Sequence, residues 1–107
     1  MTERRLDSVA GGAIVPPMDI FESEDGYLLV TDLPGVGAEA VSVKLDEGVL
    51  AIEADRVEMG IAYRREVDVP AQVDPTLVTA DLVGGVLTVS LPRLAAAKAR
   101  EVPISIG

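Results

Sequence analysis

The stretch Ala80 to Pro92 constrains the fold of this chain most tightly. Val78, Ala80 and Leu82 alternate with polar residues, and so do Leu87, Val89 and Leu91 on the way back. Period-two alternation predicts two strands that turn one face to a core. Gly84-Gly85 lies between them and supplies the positive φ angles of a type I′ turn. Pro92 has no N–H to donate, so the ladder is predicted to end there.

The rest of the chain repeats this grammar. Met18 to Glu22 reads as a short strand, Ser23 to Gly26 as a turn, and Tyr27 to Leu33 as a second strand stopped by Pro34-Gly35. Val41 to Leu45 alternates cleanly, and Val49 to Ala54 returns. Asp46-Glu47-Gly48 reads as a three-residue bulged loop between them. Tyr63 to Val69 places Val67 and Val69 on one face, with Arg64, Glu66 and Asp68 on the other. Arg56 to Ile61 is a short connection. Short alternating strands with turn signals between them predict a chain built from β-hairpins. Met1 to Pro17 shows no period and reads as a loosely held arm, with a short helical turn at Leu6 to Ala10. Leu94 to Arg100 reads as an Ala-rich, basic tail.

The chain carries 107 residues, enough for one domain that buries roughly two thirds of its unfolded surface. Its apolar residues are mostly aliphatic, with Phe21, Tyr27 and Tyr63 the only aromatics. Branched aliphatic side chains suit a pleated core. The net charge of −9 argues against phosphate-led nucleic-acid binding and against an anionic membrane surface. The polar N-terminus lacks the apolar centre of a signal peptide, so a cytoplasmic location is the expectation.

Enzymatic chemistry finds little footing. The sequence has no His and no Cys, which removes His-assisted serine chemistry and thiolate chemistry. Neither Lys44 nor Lys98 follows a glycine-rich phosphate loop. Glu24-Asp25 and Asp46-Glu47 are paired carboxylates, but both pairs fall in predicted turns and read as solvated. No calcium-loop spacing appears. No catalytic, cofactor or metal residue is therefore assigned.

Four ordered blocks carry a resemblance. They are Pro16-Pro17 with Asp19-Ile20-Phe21-Glu22, then Asp32-Leu33-Pro34-Gly35-Val36, then Val73-Asp74-Pro75, then Ala80 with Gly85-Val86-Leu87, Val89 and Pro92. In this order they resemble the α-crystallin domain of small heat-shock proteins. The resemblance implies an immunoglobulin-like antiparallel β-sandwich over residues 18–92. It also implies flexible extensions at 1–17 and 93–107. It implies a groove edged by Val41, Val43, Val78, Ala80 and Leu82, and a C-terminal apolar anchor. Val102-Pro103-Ile104 and Ile104-Ser105-Ile106 are two registers for that anchor, which leaves Val102, Ile104 and Ile106 as its candidates. The implied activity is ATP-independent holding of unfolding client proteins, in a homo-oligomer or in a hetero-oligomer with related subunits.

The sequence departs from the family in three places. The arm before Pro16 is short, the Arg56 to Tyr63 connection is short, and Asp68 stands where a basic residue is usual. The family's longer connection bears the strand exchanged between partners, so a different dimer or a monomer is expected. A non-holdase interaction module of the same fold, resembling the CS-domain co-chaperones or a co-assembling subunit, is the alternative. A carbohydrate-active or metal-binding sandwich is the third reading.

Overall fold

A computed structural model describes residues 2–3, 13–95 and 104–105. Its strands are β1 (Thr2–Glu3), β2 (Met18–Ser23), β3 (Gly26–Asp32), β4 (Val41–Asp46), β5 (Val49–Arg56), β6 (Ile61–Asp68), β7 (Thr79–Val83) and β8 (Val86–Pro92). Two antiparallel four-stranded sheets form, one in the order β1-β6-β5-β4 and the other β2-β3-β8-β7. The predicted all-β sandwich is what the chain forms. The helical turn expected at Leu6 to Ala10 lies outside the described residues.

Cross-strand partners share a face, so the register assigns the core. In the first sheet Leu50 stands opposite both Leu45 and Val67, and Ala54 opposite both Val41 and Tyr63. In the second sheet Leu29 stands opposite Ile20 and Val89, and Leu87 opposite Leu82. Leu29, Leu50, Ile52, Leu87, Val89 and Leu91 are buried between the sheets. Each such aliphatic side chain contributes about 1.5–3 kcal/mol of burial.

Gly26 shows how close the strands come. Its φ is 148°, and a Cβ there would press on the Leu91 carbonyl and stand 2.8 Å from Pro92 Cα. Only glycine fits that approach. Gly84 and Gly85 have φ of 57° and 77°, as the two-residue turn requires.

One turn differs from its expectation. β4 runs through Asp46, which pairs with Val49, so the loop is the two residues Glu47-Gly48 and not a three-residue bulge. Glu47 makes this possible by taking a left-handed φ of 48°, with Gly48 at 78°. Pairing one more residue on each strand offsets the cost of a glutamate in that region.

The expected arm is partly built in. Ile14 bridges Tyr63 of β6: its N–H donates to the Ala62 carbonyl at 2.7 Å, and the Arg64 N–H donates to its carbonyl at 3.0 Å. Pro16 is fully buried, and the Thr31 hydroxyl donates to the Pro17 carbonyl at 2.5 Å. The segment thus leaves the margin of the first sheet and enters β2 of the second. The margin formed by β1 and β6 therefore lies beside β2. The opposite margins, β4 and β7, border the other side of the sandwich.

Candidate functional site: two sheet margins

β4 and β7 are outer strands, one in each sheet, and no strand lies beyond either among the described residues. An outer strand offers unpaired main-chain groups to an extended peptide, and the side chains beside it set what is accepted. The apolar side chains of both margins pack against the same core cluster.

Val41, Val43 and Leu45 of β4 are half-buried and pack on the central cluster. Val78, just before β7, and Leu82 within it are half-buried on the same cluster. Ala80 shares the inward row with Leu82, since its partner is the buried Val89, yet it is exposed. A half-buried aliphatic row with a small residue at its middle makes a shallow channel. Beside Leu45 the channel meets a hollow of about 430 Å³ lined by Gly48, Val69, Ala71 and Val73. The predicted groove residues thus all fall on the two margins.

The anchor residues stand differently. Ile104 is described and is 87% exposed. Val102 and Ile106 lie outside the described residues.

The loop feeding β7 is held by Asp74. Its carboxylate accepts from the Thr76 hydroxyl at 2.6 Å and from the Thr76 N–H at 3.0 Å, capping the 3-10 turn Pro75–Leu77. These bonds hold its pKa below the ordinary carboxylate value. Pro75 sits at the first position of that turn, where no donor is needed. The Val73-Asp74-Pro75 block therefore aims Val78 and β7.

The start of the C-terminal segment is tied down as well. The Arg93 N–H donates to the Asp25 carbonyl at 2.8 Å, and the Leu94 N–H donates to the Gln72 carbonyl at 2.6 Å. The Arg93 guanidinium donates to the Glu22 carboxylate at 2.7 Å, to the Ser23 carbonyl and to the Tyr27 hydroxyl at 3.4 Å. It also lies 5.0 Å from the centre of the Tyr27 ring. The Tyr27 contact first, and Glu22 after it, raise its pKa.

One buried charge was not foreseen. Arg65 is 8% exposed, on the inner face of β6 opposite Ile52. The alternation of Tyr63, Arg65 and Val67 is the signal that places it there. Arg64, one residue away, faces outward and pairs with Asp55 at 3.3 Å. Among the described residues no group of three or more acidic, His or Cys side chains is placed to hold a metal ion. No described helix is long and apolar enough to cross a membrane.

Comparison with known proteins agrees with this geometry. The Hsp20/alpha crystallin family profile matches residues 19–106. The "Small heat shock protein C4" of Rickettsia felis is 28% identical over 104 residues, covering 84% of this chain and 64% of that protein. The "18 kDa heat shock protein" of Streptomyces albus G is 32% identical over 105 residues, covering 85% of this chain and 73% of that protein. The chain thus spans about two thirds of the length of these relatives. Among solved structures, heat shock protein 16.0 from Schizosaccharomyces pombe superposes with a TM-score of 0.73 at 27% identity. That match covers 95% of this chain and 82% of the other. A small heat-shock protein from Xylella fastidiosa gives 0.72 at 26% identity, covering 89% of this chain and all of the other. With the two-sheet sandwich, its margins and a profile match over most of its length, the chain belongs to the Hsp20/alpha crystallin family of small heat-shock proteins.

Proposed function

We propose that this chain is an ATP-independent holdase that binds unfolding proteins through apolar surface and limits their aggregation. It acts by binding, not by catalysis. Residues 18–92 form the binding sandwich, and residues 1–17 and 93–107 are its extensions. The observation that carries the reading is the pair of outer strands, β4 and β7, on one side of a common core. Their half-buried aliphatic side chains border main-chain edges with no strand beyond them among the described residues. An apolar tripeptide in extended form satisfies such an edge by adding a strand. Val102, Ile104 and Ile106 supply that chemistry, in one of two registers, to a neighbouring copy or a related subunit. The 87% exposure of Ile104 fits a residue whose seat is on another chain. When the assembly loosens, the same channel becomes available to clients.

The test has two parts. Native mass by light scattering is compared between the chain and the variant Val102→Ala with Ile104→Ala. A lower mass in the variant supports tail anchoring. Light scattering of a heat-unfolding client is then followed with and without the chain. Undiminished client aggregation at every ratio sinks the holdase reading. The β5–β6 connection is a single 3-10 turn, Val57–Met59, closed by Gly60. That brevity favours the second reading, a non-holdase module of the same fold. Stoichiometric binding of one partner with no client protection would establish it.

A further inference from the structure

The outer face of the second sheet carries an apolar hollow that the β4–β7 channel does not use. Phe21 of β2 stands directly opposite Leu28 of β3, and Leu28 opposite Ser90 of β8. Phe21 is the only phenylalanine in the chain and is 56% exposed; Leu28 is 38% exposed. With Ser90 of the same row, and Glu22, Gly26 and Pro92 at the strand ends, they line a hollow of about 350 Å³. That volume is at the lower end for ligand sites, about right for one or two side chains.

β2 itself is an outer strand, and five of its six residues are exposed. Natural outer strands are usually blunted by lysine, proline or a bulge. β2 contains neither residue, and its pairing with β3 is one-to-one from Met18 to Ser23, so what guards this edge is the negative charge of Asp19 and Glu22. An extended peptide added to this edge would lay every second side chain on the Phe21 side. The rim settles which peptide. Asp19, Glu22, Glu24 and Asp25 are all exposed there, and Arg93, the cation the described residues bring beside them, already pairs with Glu22. A second copy of the chain would bring the same carboxylates against these, and like charges repel.

We propose that Phe21 and Leu28, beside the edge of β2 that no described strand covers, form a docking surface for an extended apolar segment flanked by lysine or arginine. Such segments become exposed in unfolding basic proteins, and this choice of source rests on the holdase reading.

Two dye-labelled peptides test it by fluorescence anisotropy on the full chain. Both have a Thr-Val-Thr-Ile-Thr-Val-Thr centre; one is flanked by paired lysines and the other by paired glutamates. The lysine-flanked peptide is expected to bind about tenfold tighter, and added salt is expected to narrow the gap. Phe21→Ser is expected to weaken its binding about tenfold. Val83→Ser removes a side chain that is 75% exposed on the same outer face and is expected to leave binding within about twofold. Thermal melts should coincide for the two variants, because both side chains are solvent-facing. Equal binding of the two peptides overturns the proposal, as does equal loss in the two variants or absence of binding. A native mass altered by Phe21→Ser also overturns it, since the surface would then join copies. No client is used, so a chain that binds the peptide through Phe21 but fails to protect clients sinks the holdase reading and leaves this surface standing.

Discussion

Arg65 donates through Nη1 to the carbonyl of Pro16, 49 residues earlier in the chain, at 2.5 Å. This bond joins the inner face of β6 to the segment that carries the chain across to β2. Ile14 adds two main-chain bonds to β6, and Thr31 adds one to Pro17. A buried guanidinium is costly unless it is bonded, so the segment and the arginine hold each other in place.

Arg65→Ala leaves the Pro16 carbonyl without its charged donor and opens space in the core. It is expected to cost about 2–4 kcal/mol in urea unfolding. The Ile14 and Arg64 amides should also exchange faster with solvent, because both serve the same bridge. A loss below about 1 kcal/mol would mean the bond is incidental.

Gly26→Ala and Gly60→Ala separate two costs of replacing a glycine. At Gly60, with φ of 62°, a new Cβ would meet nothing within 4 Å. Only the left-handed backbone penalty applies there, about 1 kcal/mol. At Gly26 the Cβ would press on the backbone of β8. Displacing a central strand pair costs about 3 kcal/mol or more. Denaturant midpoints of the two variants, compared at equal slope, measure the difference.

Glu47→Asn should raise stability by about 0.5–1 kcal/mol, because asparagine tolerates the left-handed region better than glutamate. Glu47 has a φ of 48° and an exposed side chain. A thermal midpoint that rises by about 2–6 °C fits this account. An unchanged or lower midpoint would show that the glutamate makes a compensating contact.

Most of the sandwich was legible because its strands alternate. The rows Leu87-Val89-Leu91 and Val67-Val69 were assigned to faces from spacing alone, and Leu87, Val89, Leu91 and Val67 are buried. The Glu47-Gly48 turn was misread because strand alternation does not say whether Asp46 pairs. A glutamate gives little warning that it will take a left-handed φ. The bridge through Ile14 was hidden for a different reason. It depends on a contact between residues 49 positions apart, and residues 13–17 have no period of their own. The hollow at Phe21 was equally hidden. Met18 to Glu22 reads as a strand, but whether the face that carries Phe21 is covered is a property of the whole sheet.

Acid should loosen the approach to β7 through Asp74. Its carboxylate is bonded to Thr76 in the folded chain, so its folded pKa lies below the unfolded value near 3.8. A lowered folded pKa means stability that is fully present above the unfolded value. That stability is lost as the pH falls through the folded one. Asp74→Ala is therefore expected to melt at a lower temperature than the parent at pH 7. The gap should stay constant down to about pH 5 and close progressively below about pH 4, as the parent's own carboxyl takes up its proton. Thr76→Val should reproduce part of the loss, since it removes the 2.6 Å hydroxyl bond and leaves the main-chain one. Melting curves of the three chains between pH 7 and pH 3 decide the matter. A gap that persists unchanged at pH 3 would mean that residue 74 matters by its shape, and that the carboxylate does not hold the turn through its charge.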